Sequence, residues 1–386
     1  WVYAAVCSGF RGYFQGMQFM RAIAVAQVSE QVVRVISGLP LAVFLLPRGI
    51  EYAAAGLAGG MVLGEIVGLL LSLVIFFLAR PYWEIVGEKV SKWEDVLPAA
   101  RLAFPVALAR VADCSMFTLE ALMIPHLLQN AGLNAREATA AYGCYSGIAL
   151  TLVQLPTIIT IAVATTMVPV IAEAMAVNNL RLVHHRCSQA LKLTVISSLP
   201  FAVSFYLFAT ELSDLIFTVP EAGIPLRVLS WGCVFLYLQH STSGILNGLG
   251  AMKVTLKTTL ISGGLIILAI YFLVPLNGIA GAAIALNLGS IAAALLNMHY
   301  INSLTKYRLD MIPIVIWPLL AAIVMAGAAY YLWTLLISLP LLWRLSVSLF
   351  LGGVVYFSIL LAAGIVQWSY FAVFSWLRFK PDKWCC

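Results

Sequence analysis

Long apolar runs separated by short polar connections recur down this chain, and their length sets the first expectation. At a rise of ~1.5 Å per residue, about 20 apolar residues cross a ~30 Å hydrocarbon core as one helix. Ten such helices are expected, at roughly 21–46, 52–79, 101–125, 139–172, 187–210, 223–247, 254–275, 278–303, 311–337 and 341–366. None of the runs alternates with the period of two that a lipid-facing strand needs, which excludes a transmembrane β-barrel. The opening WVYAAVCSGF reads as the tail of a span already under way. It lacks the basic start and the cleavage site of a signal peptide, so the chain is expected to be N-terminally truncated. The longest polar connection, ARPYWEIVGEKVSKWEDVLPAA, is expected to lie in the membrane interface as the boundary between two lobes.

Composition strengthens the membrane reading. The AVILMFWYC set makes up 62% of the 386 residues, against about 45–50% on a similar set in soluble domains. Only 10% are charged, and the mean hydropathy is +0.99. The fold class is therefore an all-α polytopic membrane protein. Net charge is +6, but placement matters more than the sum. Fifteen of the 22 Lys and Arg fall in alternate connections, from Arg11 and Arg21 through Lys253 and Lys306 to Arg378, Lys380 and Lys383 in the tail. The other connections hold only Arg48, Arg136, Arg227 and Arg344. Basic short loops mark the cytoplasm, so 85–95 and the C-terminal 375–386 are expected inside a bacterial plasma membrane and 130–137 outside. No face gathers basic residues among aromatics, which excludes nucleic acid as a partner. The seven cysteines show no metal spacing apart from the adjacent Cys385 and Cys386, and those within spans are expected to pack.

The sequence also repeats itself. GYFQGMQFMR (Gly12 to Arg21) matches GILNGLGAMK (Gly244 to Lys253) at an offset of 232. Ala55-Gly56-Leu57-Ala58 with Leu63-Gly64-Glu65-Ile66 matches Ala280-Gly281-Ala282-Ala283 with Leu288-Gly289-Ser290-Ile291 at an offset of 225. Both copies stand in the same register relative to the cytoplasm, so a parallel repeat about the membrane normal is expected.

Polar residues inside the spans are the candidate site. Gln27, Glu30, Gln31 and Arg34 form one stripe on the first span, with Glu30 and Arg34 an i, i+4 pair. Glu65 on the second span reaches a similar depth. The third carries Arg110, Asp113, Phe117 and Glu120 at i, i+3, i+7 and i+10, expected on one face, with Arg110 and Asp113 roughly 14 to 18 Å in from Arg101. Charges so deep cost about 2.5–3.5 kcal/mol each on insertion scales and face a cavity or a partner. Two readings stand: a shared central cavity holding both signs, as a phosphate- and sugar-bearing head group requires, or neutralising pairs that staple helices. Gln154, Thr157 and Thr165 are expected on one face of the fourth span, kinked at Pro156. QHSTSGILNG (Gln239 to Gly248) is placed near a cytoplasmic end, where polarity costs little. His184-His185 is expected to be solvated surface. The last two spans are expected to be lipid-facing and peripheral.

Enzyme signatures are missing: no HExxH, no GxSxG elbow, no GxxxxGK[ST] loop and no close Asp pair for Mg²⁺. The blocks FRGYFQGMQFMRAIAVAQVSEQVVRV, AAGLAGGMVLGEIVGLL, LEALMIPHLLQNAGLNAREATAAYG, MVPVIAEA and SGILNGLG resemble the sporulation-associated members of the polysaccharide-biosynthesis branch of the multidrug/oligosaccharidyl-lipid/polysaccharide exporter superfamily, near the lipid II flippases. The resemblance implies fourteen helices in two six-helix lobes plus two extra helices. On it, 1–97 holds the end of helix four, helices five and six and the interfacial linker; 98–303 is the second lobe; 304–386 carries two extra helices and the tail. Its implied function is a flippase moving a lipid-linked sugar or lipid II-like precursor by alternating access, with cell-wall synthesis proteins as possible partners. No cofactor is implied beyond a coupling ion, H⁺ or Na⁺. Cation-coupled multidrug antiport and a non-transporting membrane scaffold are the alternatives; a membrane glycosyltransferase would need a metal-binding acidic motif. The cavity set is Gln27, Glu30, Arg34, Glu65, Arg110, Asp113, Glu120 and Gln154, with no catalytic or metal-ligating residue.

Overall fold

The computed structural model describes residues 2–17, 19–79, 96–306 and 312–365. These form two compact units, Trp1–Pro98 and Ala99–Cys386. Among the described residues there are helices and no strand, as backbone that must satisfy its own hydrogen bonds in lipid requires.

The first unit is the trio α1 (Val2–Gly16), α2 (Met20–Leu45) and α3 (Ile50–Ala79). Helices α2 and α3 lie closest at glycines. A Cβ on Gly60 would come within 2.4 Å of Gly38 Cα, and one on Gly56 within 2.8 Å of the Leu41 carbonyl. Small residues at such crossings let backbones approach, and that packing drives helix association where both partners are as apolar as the lipid.

The second unit runs from α4 (Val96–Asn130) to α14 (Leu341–Ala362). Between them lie α5 (Ala135–Gly143), α6 (Leu150–Gln154), α7 (Thr157–Ala176), α8 (Leu180–Leu207), α9 (Ala209–Phe217), α10 (Gly223–Gly248), α11 (Met252–Asn277), α12 (Ile279–Thr305) and α13 (Trp317–Leu335). One apolar cluster gathers Ile171, Leu191, Ile245, Ile301, Met325 and Tyr356 from α7, α8, α10, α12, α13 and α14. Another joins Ile124 of α4 to Tyr145, Leu226, Tyr237, Ile270 and Ala282. The last two helices dock on α8: the Tyr356 hydroxyl donates to the Ile196 carbonyl at 3.0 Å. Arg344 stacks 3.7 Å over Trp333 and donates to its carbonyl at 2.8 Å.

Nine helical segments among the described residues are long and apolar enough to cross a membrane. The chain is a multi-pass membrane protein. The tenth expected span is α4, whose 35 residues reach ~52 Å but include Arg101, Arg110, Asp113 and Glu120. The expected single span at 139–172 is instead divided. A π-helical turn, Cys144–Ala149, separates α5 from α6, and Pro156, lacking an N–H, separates α6 from α7. The Thr157 hydroxyl takes up the Gln154 carbonyl that this break frees, at 2.5 Å. The expected interfacial linker and the basic tail fall largely or wholly outside the described residues.

The repeat is present in the backbone. α1 ends at Gly16 and α2 begins at Met20; α10 ends at Gly248 and α11 begins at Met252. In the first turn Phe19 N–H donates to the Phe14 carbonyl at 2.8 Å and Met17 to Tyr13 at 3.0 Å. In the second, Ala251 donates to Leu246 at 2.9 Å and Leu249 to Ile245 at 2.9 Å, each pair offset by 232. The crossings correspond too. Gly56 meets Leu41 and Ala42, while Gly281 meets Leu273 and Val274. Gly64 meets Glu30 and Arg34, while Gly289 meets Ser262 and Ile266. Trio α10–α12 is thus built like trio α1–α3.

Candidate functional site

The strongest charged arrangement lies within the first trio. Glu30 of α2 is 4% exposed, and each of its carboxylate oxygens accepts from a different guanidinium. Arg34, one turn on, donates to Oε1 at 2.6 Å, and Arg11 of α1 donates to Oε2. The two arginine side chains keep 30% and 29% of their surface. Both Nε atoms are buried without a hydrogen-bond partner. Two cations sharing one anion leave a local surplus of positive charge.

Glycines of α3 make room for the carboxylate. A Cβ on Gly64 would sit 2.8 Å from the Glu30 carbonyl, and one on Gly68 would sit 3.3 Å from Glu30 Oε2. Glu65, between them in sequence, is half-buried and pairs with no cation among the described residues. Gln27 and Gln31 of the same expected stripe are exposed, so only Glu30 and Arg34 turn into the trio.

Helix α4 presents the second set. Arg110 acts electrostatically on Asp113 and on His240 of α10, yet forms no ion pair with Asp113 within 4.0 Å. The expected single face is split: Arg110 and Phe117 are exposed, Asp113 is half-buried and Glu120 is only 6% exposed. Ten residues of helix turn Glu120 about 80° away from Arg110, enough to move it from the open side to the packed one. Among the described residues Glu120 forms no ion pair, and it acts on Tyr145, whose buried hydroxyl finds no hydrogen-bond partner among them. Tyr145 sits in the π-helical turn, a feature found often at functional sites.

The break at Pro156 also separates the polar residues expected on one face of that span. Thr157 is buried, while Gln154 and Thr165 are exposed. Segment Gln239 to Gly248 closes α10, and part of its polarity turns inward. Ser241 and Thr242 are buried in protein, and Gln239, His240, Ser243 and Asn247 are half-buried. Asn297 Nδ2 donates to Thr242 Oγ1 at 3.0 Å and to Ser243 Oγ at 3.2 Å, and Ser241 shares a hydrogen bond with Thr194. This network joins α8, α10 and α12. His184 is likewise bound, to the Thr305 carbonyl at 2.7 Å, whereas His185 is exposed.

One member of each charged set escaped sequence reading. Arg11 was counted with a cytoplasmic connection but belongs to α1 and pairs across the turn with Glu30, 19 residues on. His240 belongs to the segment placed near a cytoplasmic end, where its polarity carried no signal. The repeat alignment was the available signal, because it pairs Arg11 with Ser243, a position facing the neighbouring helices. Among the described residues, no three His, Cys, Asp or Glu side chains gather as a metal site.

The comparisons with known proteins agree with this architecture. The model of the polysaccharide biosynthesis protein family matches residues 2–175, and the MatE family model matches residues 105–273. Stage V sporulation protein B of Bacillus subtilis is 30% identical over 302 residues, 76% of this chain and 58% of that protein. The chain belongs to the multidrug/oligosaccharidyl-lipid/polysaccharide exporter superfamily. Lipid II flippase MurJ of the same organism is 24% identical over 309 residues, 75% of this chain and 56% of that one. Among solved structures, a mutant of the Vibrio cholerae MATE transporter VcmN aligns at TM-score 0.60 and 16% identity, covering 78% of this chain and 67% of that one. Lipid II flippase MurJ in an inward closed conformation aligns at 0.52 and 16%, covering 87% and 66%. These likenesses concern the fold. The chain spans 58% and 62% of the length of the first two curated relatives.

Proposed function

We propose that this chain is part of a flippase that carries a phosphate-bearing lipid-linked sugar across the plasma membrane by alternating access. In this reading the Arg11–Glu30–Arg34 cluster meets the anionic head group. The observation that carries it is the internal repeat. At the offsets of 232 and 225, Arg11, Glu30, Arg34 and Glu65 correspond to Ser243, Ser262, Ile266 and Ser290. Trio α10–α12 makes the same turn and keeps the crossings at Gly281 and Gly289, matching Gly56 and Gly64, with no charge at any of these positions. Charges are therefore not needed to hold such a trio together. Ionic groups that packing does not require, in a medium where each costs about 2.5–3.5 kcal/mol, point to a ligand.

A guanidinium pair suits a pyrophosphate or phosphodiester, since each planar fork can hold two oxygens. Binding there competes with Glu30 for the arginines, which makes the head group releasable. In the second unit, Arg110 of α4 and His240 of α10 form a separate polar patch, and Glu120 beside Tyr145 is the candidate for a coupling H⁺ or Na⁺. That last pair also keeps cation-coupled antiport as the second reading.

The test copies one trio into the other: Arg11→Ser, Glu30→Ser and Arg34→Ile together. The expected outcome is near-normal abundance in the membrane with head-group translocation in liposomes lost. Translocation at the unaltered rate, in protein of normal abundance, would show that the charges do not contact substrate. Loss of both would return them to a structural role.

A further inference from the structure

The second unit holds a cavity far along its chain from the charged cluster, and nothing in the transport reading uses it. It measures ≈ 470 Å³ and is lined at the α8–α9 corner by Tyr206 and Thr210, on the first turns of α10 by Arg227 and Trp231, and on α12 by Asn287. By chain position it lies at the ends of helices whose connections carry few basic residues, the face expected to be non-cytoplasmic. Arg227 and Trp231 are 4 and 8 residues beyond Gly223, the start of α10, so they sit roughly 6 and 12 Å along that helix, at head-group and upper acyl-chain depth.

Two close backbone contacts fix the walls. A Cβ on Gly223 would come within 2.6 Å of Thr210 Cα, and one on Gly232 within 2.1 Å of Asn287 Oδ1. Asn287 Nδ2 also donates to the Val228 carbonyl at 2.7 Å. The cavity is therefore present before any occupant arrives. Trp231 is 71% exposed and stands edge-to-face with Tyr206 at 5.4 Å. Arg227 is exposed and forms no ion pair with a described residue, and no carboxylate lines the cavity. An apolar, tryptophan-walled hollow with one uncompensated cation, set at the surface of membrane-spanning helices, fits one kind of molecule. Its acyl chains continue along the helices while its phosphate meets the guanidinium.

We propose that this cavity is a binding site for an anionic phospholipid of the outer leaflet, with Arg227 on the lipid phosphate and Trp231 and Tyr206 along its glycerol and upper acyl chains. A zwitterionic lipid brings its own ammonium and gains less from a lone arginine.

Native mass spectrometry of the intact detergent-solubilised protein, titrated with phosphatidylglycerol or phosphatidylcholine, tests it. The unaltered protein should retain phosphatidylglycerol saturably, with a preference of about fivefold, the factor one interfacial arginine contributes toward anionic lipid. Arg227→Gln should bring that ratio close to one. Arg136→Gln removes an exposed cation expected at the same membrane face but outside the cavity, and should leave the ratio unchanged. Inorganic phosphate at millimolar concentration should not displace the lipid. The proposal is overturned if Arg227→Gln keeps the preference, if Arg136→Gln abolishes it equally, or if inorganic phosphate competes. If Arg227→Gln does not fold, Trp231→Ala carries the test. It keeps the cation and should lower retention of phosphatidylglycerol about twofold, and unchanged retention would overturn the site.

Discussion

Trios α1–α3 and α10–α12 are two answers to one packing problem. Both turn through the same hydrogen bonds, and both bring the second helix of the trio onto the third through glycine. They part in what fills the space between. The first trio holds a buried carboxylate between two guanidiniums. The second has Ser243 and Ser262 at the equivalent positions, and Asn297 binds Ser243 across to α12. Hydroxyls satisfy themselves locally; Ser262 Oγ, for example, donates to the Thr259 carbonyl at 3.1 Å. Ion pairs need each other, and removing one member leaves the rest exposed to a low dielectric. The neutral trio therefore shows what the shared architecture requires, and the charged trio what has been added to it.

The largest way to strain this comparison is to remove the shared acid. Glu30→Ala leaves Arg11 and Arg34 without an anion and should destabilise the protein by about 3 kcal/mol. Ser262→Ala, at the matching position, should stay within about 0.5 kcal/mol. Thermal melting in detergent reads both, and equal effects would erase the distinction between the trios. The crossings give the next test. Gly281→Ala places a Cβ 2.2 Å from the Leu273 carbonyl, and Gly56→Ala places one 2.8 Å from that of Leu41. Overpacking of about 2 kcal/mol is expected at the first and about 1 kcal/mol at the second. The reverse order would mean that the second trio yields more readily.

A smaller effect is expected for Tyr237→Phe, which removes a 2.7 Å hydrogen bond to the Val153 carbonyl and should cost about 1 kcal/mol in melting experiments. Arg110→Ala should change stability least, within about 0.5 kcal/mol, because Arg110 is exposed and makes no ion pair with a described residue. Translocation should nonetheless fall. Normal translocation by Arg110→Ala would leave Arg110 without a part in transport. If its loss were rescued by adding Asp113→Ala, the two residues would be a structural couple.

Helices and their approximate ends were legible in the sequence because lipid tolerates only long apolar segments with internal hydrogen bonds. The division of the fourth expected span was not. A π-helical turn shifts register by one residue without changing hydropathy, so Cys144–Ala149 left no mark on the pattern. Pro156 did leave one, as an absent N–H. Within the site, Glu30 and Arg34 were legible as an i, i+4 pair. Arg11 was not, because its partnership spans a turn and depends on where α1 ends. The inward-facing partners of segment Gln239 to Gly248 were hidden for a related reason. Composition reports polarity, but whether a serine or threonine faces water or Asn297 is decided by the neighbouring helix.

The order of the charged groups along the chain bears on how the protein is made. Arg11 precedes Glu30 by 19 residues and Arg34 follows it by 4. A nascent segment leaving the translocon would therefore carry the arginine of α1 before the acid of α2, and the second arginine in the same helix. Within one hairpin's length of synthesis the carboxylate has both partners, well before Gly64 and Gly68 of α3 arrive to enclose it. Insertion need never present that acid alone to hydrocarbon.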